Sequence, residues 1–242
     1  MTLDILYLDD DLVVVNKPSG LLVHRTDLAK HEQDAVVQRL NEQLGKWVYP
    51  IHRLDRATSG VLVMALKEDV AGALGEQFMA RTTDKVYQAI VRGYPQELGT
   101  IDYPLAKLNE EKGRSRFKIE GTEKPAVSHF KTLQRYEINI PVSRYPKMRL
   151  SLVEVKPEQG RTHQIRRHFK HVFHPLLGDT RYGCRHHNQV MRQHWSEDLR
   201  LMLHAKSLTF KHPTTQSTLS IEAPLEQDMK SLLSWLEKHP SN

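Results

Sequence analysis

The sequence predicts an α+β protein built on a mixed, mostly antiparallel sheet. Short apolar runs bounded by Pro, Gly, Asp and Asn recur along the chain, a pattern typical of strands separated by turns. Helical periodicity interrupts them at a few places, without the regular strand–helix alternation of a doubly wound fold. The 242 residues, 39% of them hydrophobic, are enough to bury a core, and we expect a single domain spanning residues 1–242.

Strands are predicted wherever a short apolar run ends at a turn signal. The segment 61–66 is a continuous apolar run, which indicates a strand buried on both faces. Residues 100–125 are polar and contain two glycines, which favours an exposed hairpin or a long loop. The predicted strands lie at residues 5–8, 12–15, 21–23, 61–66, 86–91, 127–133, 149–156, 201–208 and 218–221.

Helices are predicted where apolar residues recur three and four positions apart. One such pattern covers residues 32–44 and ends at Gly45, a residue typical of helix C-termini. Another follows Thr162, which has a side chain suited to capping a helix N-terminus. The four predicted helices lie at residues 32–44, 70–78, 163–171 and 225–236.

Positive charge is unevenly distributed along the chain. The formal net charge is +6, yet residues 1–50 carry five Lys/Arg against eight Asp/Glu. Residues 144–185 carry ten Lys/Arg against only three Asp/Glu. A local excess of this kind suits a polyanion such as RNA or DNA, although a solvated basic face without a partner would give the same pattern.

Three observations bear on the compartment. The single cysteine, Cys184, allows no intramolecular disulfide, which fits a reducing cytosol. The acidic start MTLDILYLDDD lacks the basic and apolar regions of a secretory signal. No apolar run reaches the length of a membrane span. We therefore expect a soluble, cytoplasmic protein that does not contact membranes.

The segment HRLDRATSG, residues 52–60, places Asp55 between Arg53 and Arg56 just before the apolar run 61–66. Adjacent positive charge favours the ionised form of a carboxylate. An ionised aspartate in a sheltered loop can act as a nucleophile or as a general base. A surface cluster of ion pairs would show the same charge pattern, so the pattern alone leaves both interpretations open.

Two further segments hold candidate binding residues. GRTHQIRRH, residues 160–168, leads from a glycine turn into a predicted helix, and helix N-termini with nearby arginines attract phosphate and carboxylate groups. A plain basic surface helix is the alternative. Tyr87 stands in the apolar segment KVYQAIVRG, where it can either pack in the core or offer its ring as a stacking face for a base.

Together these segments resemble the RluA-type pseudouridine synthases. The resemblance covers about residues 3–224, and HRLD followed two residues later by TSG is its most specific signature. The other matching segments occur in the expected order: NKPSGLLVH (16–24), KVYQAIVRG (85–93), GRTHQIRRH (160–168), PLLGD (175–179) and LHA (203–205).

The resemblance implies the pseudouridine synthase fold, with helices and loops flanking a central mixed sheet and an active-site cleft across it. It implies an isomerase that detaches uracil from ribose and rejoins it through carbon. Asp55 matches the essential aspartate, Arg166 the arginine that pairs with it, and Tyr87 the tyrosine that stacks on the target base. Arg53 matches an arginine that some relatives insert where the nucleotide has flipped out. The remaining residues expected to bind substrate are Arg56, Arg161, His163, Gln164 and Arg167.

The segments PVSRYPKMR, residues 141–149, and CRHHN, residues 184–188, are most similar to a tRNA-modifying branch of the family. This implies uridine 65, in the T-arm stem of certain tRNAs, as the target. The same reaction on ribosomal RNA or at another tRNA position stays open, because the main motifs are shared. We expect no N-terminal accessory RNA-binding domain and no obligate protein partner, hence a monomer. No organic cofactor is expected, since no glycine-rich nucleotide fingerprint is present.

Two other classes of protein compete with this interpretation. The 14 histidines, several of them near Cys184, raise a metal-dependent hydrolase. The chain has no HExxH, no paired CxxC and no clear carboxylate–histidine set, so we expect no metal. A non-catalytic RNA-binding protein would share the basic surface, but binding alone requires no carboxylate in a basic site.

Overall fold

The structure, a computed structural model, describes residues 2–24, 34–108 and 119–240. Its backbone divides into two compact units. The first contains the described parts of residues 1–86 and 204–224, and the second contains those of residues 87–203 and 225–242. The single catalytic domain expected from the sequence stays a prediction.

The described residues form ten strands and five helices. In chain order they are β1 (Asp4–Leu8), β2 (Leu12–Lys17), α1 (Val36–Leu44), β3 (Tyr49–Pro50), β4 (Ser59–Ala65), α2 (Glu68–Ala80), β5 (Asp84–Arg92), β6 (Leu98–Asp102), β7 (Val127–Ile138), β8 (Met148–Pro157), α3 (Gln164–His171), α4 (Arg185–His194), β9 (Leu203–Lys211), β10 (Thr218–Glu222) and α5 (Gln227–Lys238).

The sheet of the first unit is mixed. Its strands follow the order β1-β2-β4-β9-β10, and the short β3 pairs with the end of β4. All of these pairs are antiparallel except β4 with β9, which run parallel where Ser59 and Gly60 face His204 and Ala205. This parallel pair contains the last two residues of the segment 52–60 and therefore anchors its end.

Strand β4 is the centre of the first unit. All seven of its residues are buried, and because side chains alternate along a strand, both of its faces are covered. Helix α2 packs Val70 and Leu74 against Val61 and Val63 on one face. The continuous apolar run in the sequence is thus confirmed as a strand buried on both sides.

The sheet of the second unit is antiparallel, in the order β5-β8-β7-β6. One face carries a core that includes Leu150 of β8, Met191 of α4 and Met229 of α5. The opposite face carries Phe130, whose ring meets that of Phe169 on α3 with centroids 5.3 Å apart. The sheet thus lies between α3 on one face and α4 and α5 on the other.

The α+β class with mostly antiparallel pairing is confirmed. Gly45, at φ 62°, ends α1 as the sequence predicts, although residues 32–33 of that predicted helix lie outside the described residues. Twelve of the thirteen predicted elements exist with shifted ends, and β3, β6 and α4 are additional. No helix in the described ranges has an apolar stretch long enough to cross a bilayer.

The polar stretch 100–125, expected to be an exposed hairpin or a long loop, joins the antiparallel strands β6 and β7, so the hairpin is confirmed. Two local predictions are wrong. Residues 21–23 form no strand, because the carbonyls of Leu22 and Val23 accept hydrogen bonds from the first N–H groups of α1 instead of pairing in the sheet. Thr162 does not cap α3; His163 precedes the helix with a left-handed φ of 55°, and no side chain caps that end.

Candidate functional site

Asp55 lies in a tight turn at the entrance to β4. The N–H of Thr58 donates to the Asp55 carbonyl over 2.9 Å, which closes the turn and directs the chain into the strand. Leu54 is buried, whereas the Asp55 side chain is only half-buried. The turn therefore anchors the backbone at Asp55, and the residue as a whole stays partly exposed.

Lys17 fixes this turn from below the surface. Its side chain is fully buried, and its ammonium donates to the carbonyls of Pro18, Leu21 and Arg56 over 2.8, 2.9 and 3.1 Å. Burying an ammonium is costly unless hydrogen bonds compensate, and these three carbonyls provide them. Because Arg56 follows Asp55 directly, the buried lysine holds the catalytic candidate's backbone against the NKPSG segment.

More hydrogen bonds join the same two segments. The N–H of Gly20 donates to the Arg56 carbonyl and the Nε of Arg56 donates back to the Gly20 carbonyl, both over 2.8 Å. The hydroxyl of Ser19 donates to the carbonyl of Ala57, also over 2.8 Å. This pairing gives a physical reason why NKPSG and HRLDRATSG occur together in one sequence.

The end of the HRLDRATSG segment depends on close contact with β9. A Cβ atom on Gly60, at φ 113°, would lie 2.1 Å from the carbonyl oxygen of Ala205, so only glycine fits. Beside it, the buried hydroxyl of Ser59 hydrogen-bonds Nδ1 of His204 over 2.9 Å. The TSG segment at the start of β4 and the LHA segment at the start of β9 thus contact each other directly.

His52, the first residue of the segment, is structural. Its ring stacks on Phe78 with centroids 4.6 Å apart, and its Nε2 accepts the N–H of Val63 over 3.2 Å. Burial, with a smaller effect from the charge of Lys85, lowers the pKa of His52 to about 3. The imidazole therefore stays neutral and acts as a hydrogen-bond acceptor that secures β4.

The two arginines flanking Asp55 are exposed. The Nε of Arg56 donates to the carbonyl of Gly20, and this hydrogen bond restrains the side chain of Arg56. Exposed guanidinium groups beside a half-buried carboxylate suit contact with an anionic substrate. Their role in substrate binding stays a prediction.

Tyr87 belongs to the second unit, on the sheet face that α3 covers. It pairs across β5 and β8 with Val155, and Val155 pairs across β8 and β7 with Phe130. Directly paired residues of neighbouring strands point to the same face, so Tyr87 shares its face with Phe130 and hence with Phe169 of α3. The half-buried Tyr87 ring and α3, which carries Arg166, thus lie on one side of this sheet.

Arg166 forms a buried, bidentate ion pair with Asp179. Its Nε and Nη2 donate to the two carboxylate oxygens over 2.8 and 3.0 Å, and the Asp179 side chain has no exposed surface. Burial by itself would raise the pKa of Asp179, but the hydrogen bonds and charge of Arg166, with the N–H groups of Tyr182 and Arg181, lower it below its usual value. A guanidinium has five N–H donors, and this pair fixes the plane in which all of them lie.

An aromatic ring covers the ion pair. The guanidinium carbon of Arg166 lies 5.1 Å from the centroid of Tyr182, and that of Arg181 lies 5.2 Å from it. The Tyr182 hydroxyl hydrogen-bonds Nδ1 of His163 over 2.9 Å. Burial raises the pKa of Tyr182, so the ring stays a neutral partner for both cations.

The remaining candidates around α3 are bonded within the second unit. Gln164 is buried; its Oε1 accepts the N–H of Arg161 over 3.0 Å and its Nε2 donates to the Val127 carbonyl over 2.9 Å. Arg167 is buried and donates to the Ala106 carbonyl over 3.0 Å, and burial lowers its pKa. Their observed contacts support α3; binding of substrate by these residues stays a prediction.

The candidate residues thus divide between the units. Arg53, Asp55 and Arg56 belong to the first, whereas Tyr87 and the α3 residues belong to the second. Lys17, Asp179 and Tyr182 were not singled out from sequence, although the first two stand in the NKPSG and PLLGD segments. In residues 2–24, 34–108 and 119–240, no group of three or more His, Cys, Asp or Glu is placed to hold a metal ion.

Comparison with known proteins identifies the family. A family model described as RNA pseudouridylate synthase matches residues 11–171, which include Asp55, Tyr87 and Arg166. The chain belongs to the RNA pseudouridylate synthase family. It is therefore an isomerase. In this family member the buried Lys17 stabilises the turn that carries Asp55, and the buried carboxylate of Asp179 orients Arg166.

Relatives resemble this synthase along almost its full length. It is 47% identical to the tRNA pseudouridine synthase C of Pasteurella multocida, over 97% of this chain and 98% of that protein. It is 45% identical to the protein of the same name from Haemophilus influenzae, over 96% of each chain. Among solved structures, it resembles human RNA Pseudouridylate Synthase Domain Containing 4 with a TM-score of 0.73 and 26% identity, over 97% of this chain and 93% of that one.

Proposed function

We propose that this synthase converts a uridine of tRNA to pseudouridine, with uridine 65 in the T-arm stem as its target. Relatives that share more than two fifths of its residues, over 96% or more of their length, carry the name tRNA pseudouridine synthase C. The excess of arginine and lysine in residues 144–185 suits a polyanionic substrate such as tRNA. We propose further that it acts in the cytoplasm as a monomer.

The single observation that carries the chemistry is the hydrogen-bonded turn at the start of β4, which carries the half-buried Asp55. The reaction breaks the bond between N1 of uracil and C1′ of ribose and forms one between C5 and C1′; C5 gives up its proton and N1 gains one. Asp55 can assist by attacking the ribose, by attacking the base or by removing a ribose proton, and all three roles require its ionised form.

Arg166 and Tyr87 serve the same reaction in this proposal. Asp179 already fixes the guanidinium plane of Arg166, so a second acceptor, the Asp55 carboxylate, meets preoriented donors. Tyr87 stacks on the target base, and its hydroxyl helps to remove the C5 proton. A ring on a sheet strand suits this role, because the strand restricts its movement.

The target base has to leave its helix before Asp55 can act. A stacked base presents neither its faces nor its sugar to a carboxylate, so the nucleotide is flipped out, at a cost of a few kcal/mol. Arg53, which is exposed, fills the gap that the base leaves. Arg56, Arg161, His163, Gln164 and Arg167 are the proposed contacts to the surrounding RNA.

A tRNA labelled with tritium at C5 of uridine tests the proposal, because only pseudouridine formation releases that hydrogen. The purified protein is expected to release one equivalent per tRNA, and a matched transcript with cytidine at position 65 is expected to release none. Release that persists from the cytidine transcript would move the target to another position. Release from ribosomal RNA but not from tRNA would assign the enzyme to ribosomal RNA, and no release from either would refute the function.

A further inference from the structure

The charged residues of helix α4 are all basic. Its ten residues include Arg185 and Arg192 but no aspartate or glutamate. Arg185, Gln189 and Arg192 recur four and three positions apart, which places them on one side of the helix. At ~1.5 Å per residue, the two arginines stand ~10 Å apart along the axis.

An open cavity of about 500 Å³ runs along this side. Arg185, Gln189, Arg192 and Gln193 line it, together with Asp179. Within the described parts of the chain, neither arginine has an ion-pair or hydrogen-bond partner. The cavity therefore offers two uncompensated guanidinium groups and two amide side chains to a ligand.

The cavity is tied to the candidate catalytic arginine through one buried side chain. Asn188 accepts the N–H of Gly178 over 2.9 Å and donates to the carbonyl of Asp179 over 3.0 Å. The carboxylate of that same Asp179 holds Arg166. Asp179 lines the cavity and also binds Arg166, so a ligand bound along α4 lies at a fixed distance from Arg166.

We propose that this side of α4 binds two phosphates of the substrate RNA, outside the target nucleotide. The proposal rests on the proposed function, since it takes the RNA of that reaction as the occupant. Charge complementarity selects a polyanion: the arginines match phosphate oxygens, and Gln189 and Gln193 can hydrogen-bond ribose hydroxyls. Such contacts position an RNA without reading its sequence.

The double variant Arg185→Gln/Arg192→Gln tests this surface. Loss of two phosphate contacts is expected to raise the KM for tRNA on the order of tenfold. The plot of log affinity against log salt concentration is expected to become shallower, its negative slope shrinking in magnitude by roughly 1.5. The kcat is expected to stay within about twofold, because phosphate contacts act in binding. Arg185→Lys/Arg192→Lys keeps both charges and is expected to keep most of the affinity.

Helix α5 supplies the matched control. Lys230 and Lys238 are exposed, belong to the same unit and line a similar cavity of about 470 Å³, which shares no lining residue with the α4 cavity. Lys230→Gln/Lys238→Gln is expected to change the KM by less than about twofold. Melting temperatures of all variants are expected to match the parent, since the altered side chains make no hydrogen bond or ion pair with the described residues.

Two results would overturn the proposal: wild-type affinity and salt slope in the α4 glutamine variant, or an equal loss in the α5 variant. Failure of the proposed function gives a different result. The parent protein would then release no C5 hydrogen from tRNA, while the α4 variant would still bind RNA more weakly and with a smaller salt slope than the parent.

Discussion

Replacing Asp179 by asparagine removes the charge that orients Arg166 while keeping the shape of the side chain. The carboxylate has no exposed surface and accepts four hydrogen bonds, two from Arg166 and one each from the N–H groups of Arg181 and Tyr182. Asparagine keeps one oxygen for the two backbone donors, but its amide hydrogens then face the Nε–H of Arg166. Removing one partner of a buried ion pair costs about 3–5 kcal/mol, so we expect the free energy of unfolding to fall by that amount.

Urea denaturation of parent and variant measures this loss, and Asp198→Asn, at an exposed carboxylate, is the matched control. C5-hydrogen release under the same buffer conditions is expected to show a lower kcat, because Arg166 loses its fixed plane. A change of less than about 1 kcal/mol in Asp179→Asn, equal to that of Asp198→Asn, would mean that the pair does not hold Arg166 in place.

Two further changes test the support of the Asp55 turn. Lys17→Met leaves the carbonyls of Pro18, Leu21 and Arg56 without their donor, so we expect about 3 kcal/mol less stability in urea and a reduced kcat; a variant with parental stability and kcat would contradict this. The pKa of His52 is lowered to about 3, so its contribution to stability is complete above pH 6.5 and is lost as the pH falls towards 3. Between pH 7 and pH 5 the parent should lose about 2 kcal/mol more than His52→Gln; equal losses in both would refute that origin, and the exposed His194→Gln serves as control.

Strong local patterns predicted much of the fold. The apolar run of β4 and the glycine after α1 are confirmed because burial on both faces and a left-handed residue at a helix end each have a distinctive sequence signal. Helix α4 gave no such signal, since only three of its ten residues are buried and two of those are polar. Asn188 of α4 hydrogen-bonds Gly178 and Asp179, ten and nine positions earlier, and hydrophobic periodicity does not encode such contacts.

In the candidate site, too, the sequence predicted the motif residues but not the residues that hold them in place. The motifs pointed to Asp55, Tyr87 and Arg166, but the residues that support them lie far away in sequence. Lys17 reaches the carbonyl of Arg56 across 39 positions, and Asp179 pairs with Arg166 across 13. Such supports follow from tertiary packing, and a single sequence carries only the residue types that make them possible.

Substitution of Asp55 by asparagine is the sharpest test of the proposed chemistry, since it removes the charge of the Asp55 carboxylate and preserves the shape of the side chain. C5-hydrogen release and tRNA binding are measured on the same purified protein. We expect release to fall below detection while tRNA affinity stays within a few-fold of the parent, because phosphate contacts bind the RNA and Asp55 acts on the nucleoside. Near-normal turnover by Asp55→Asn would contradict it.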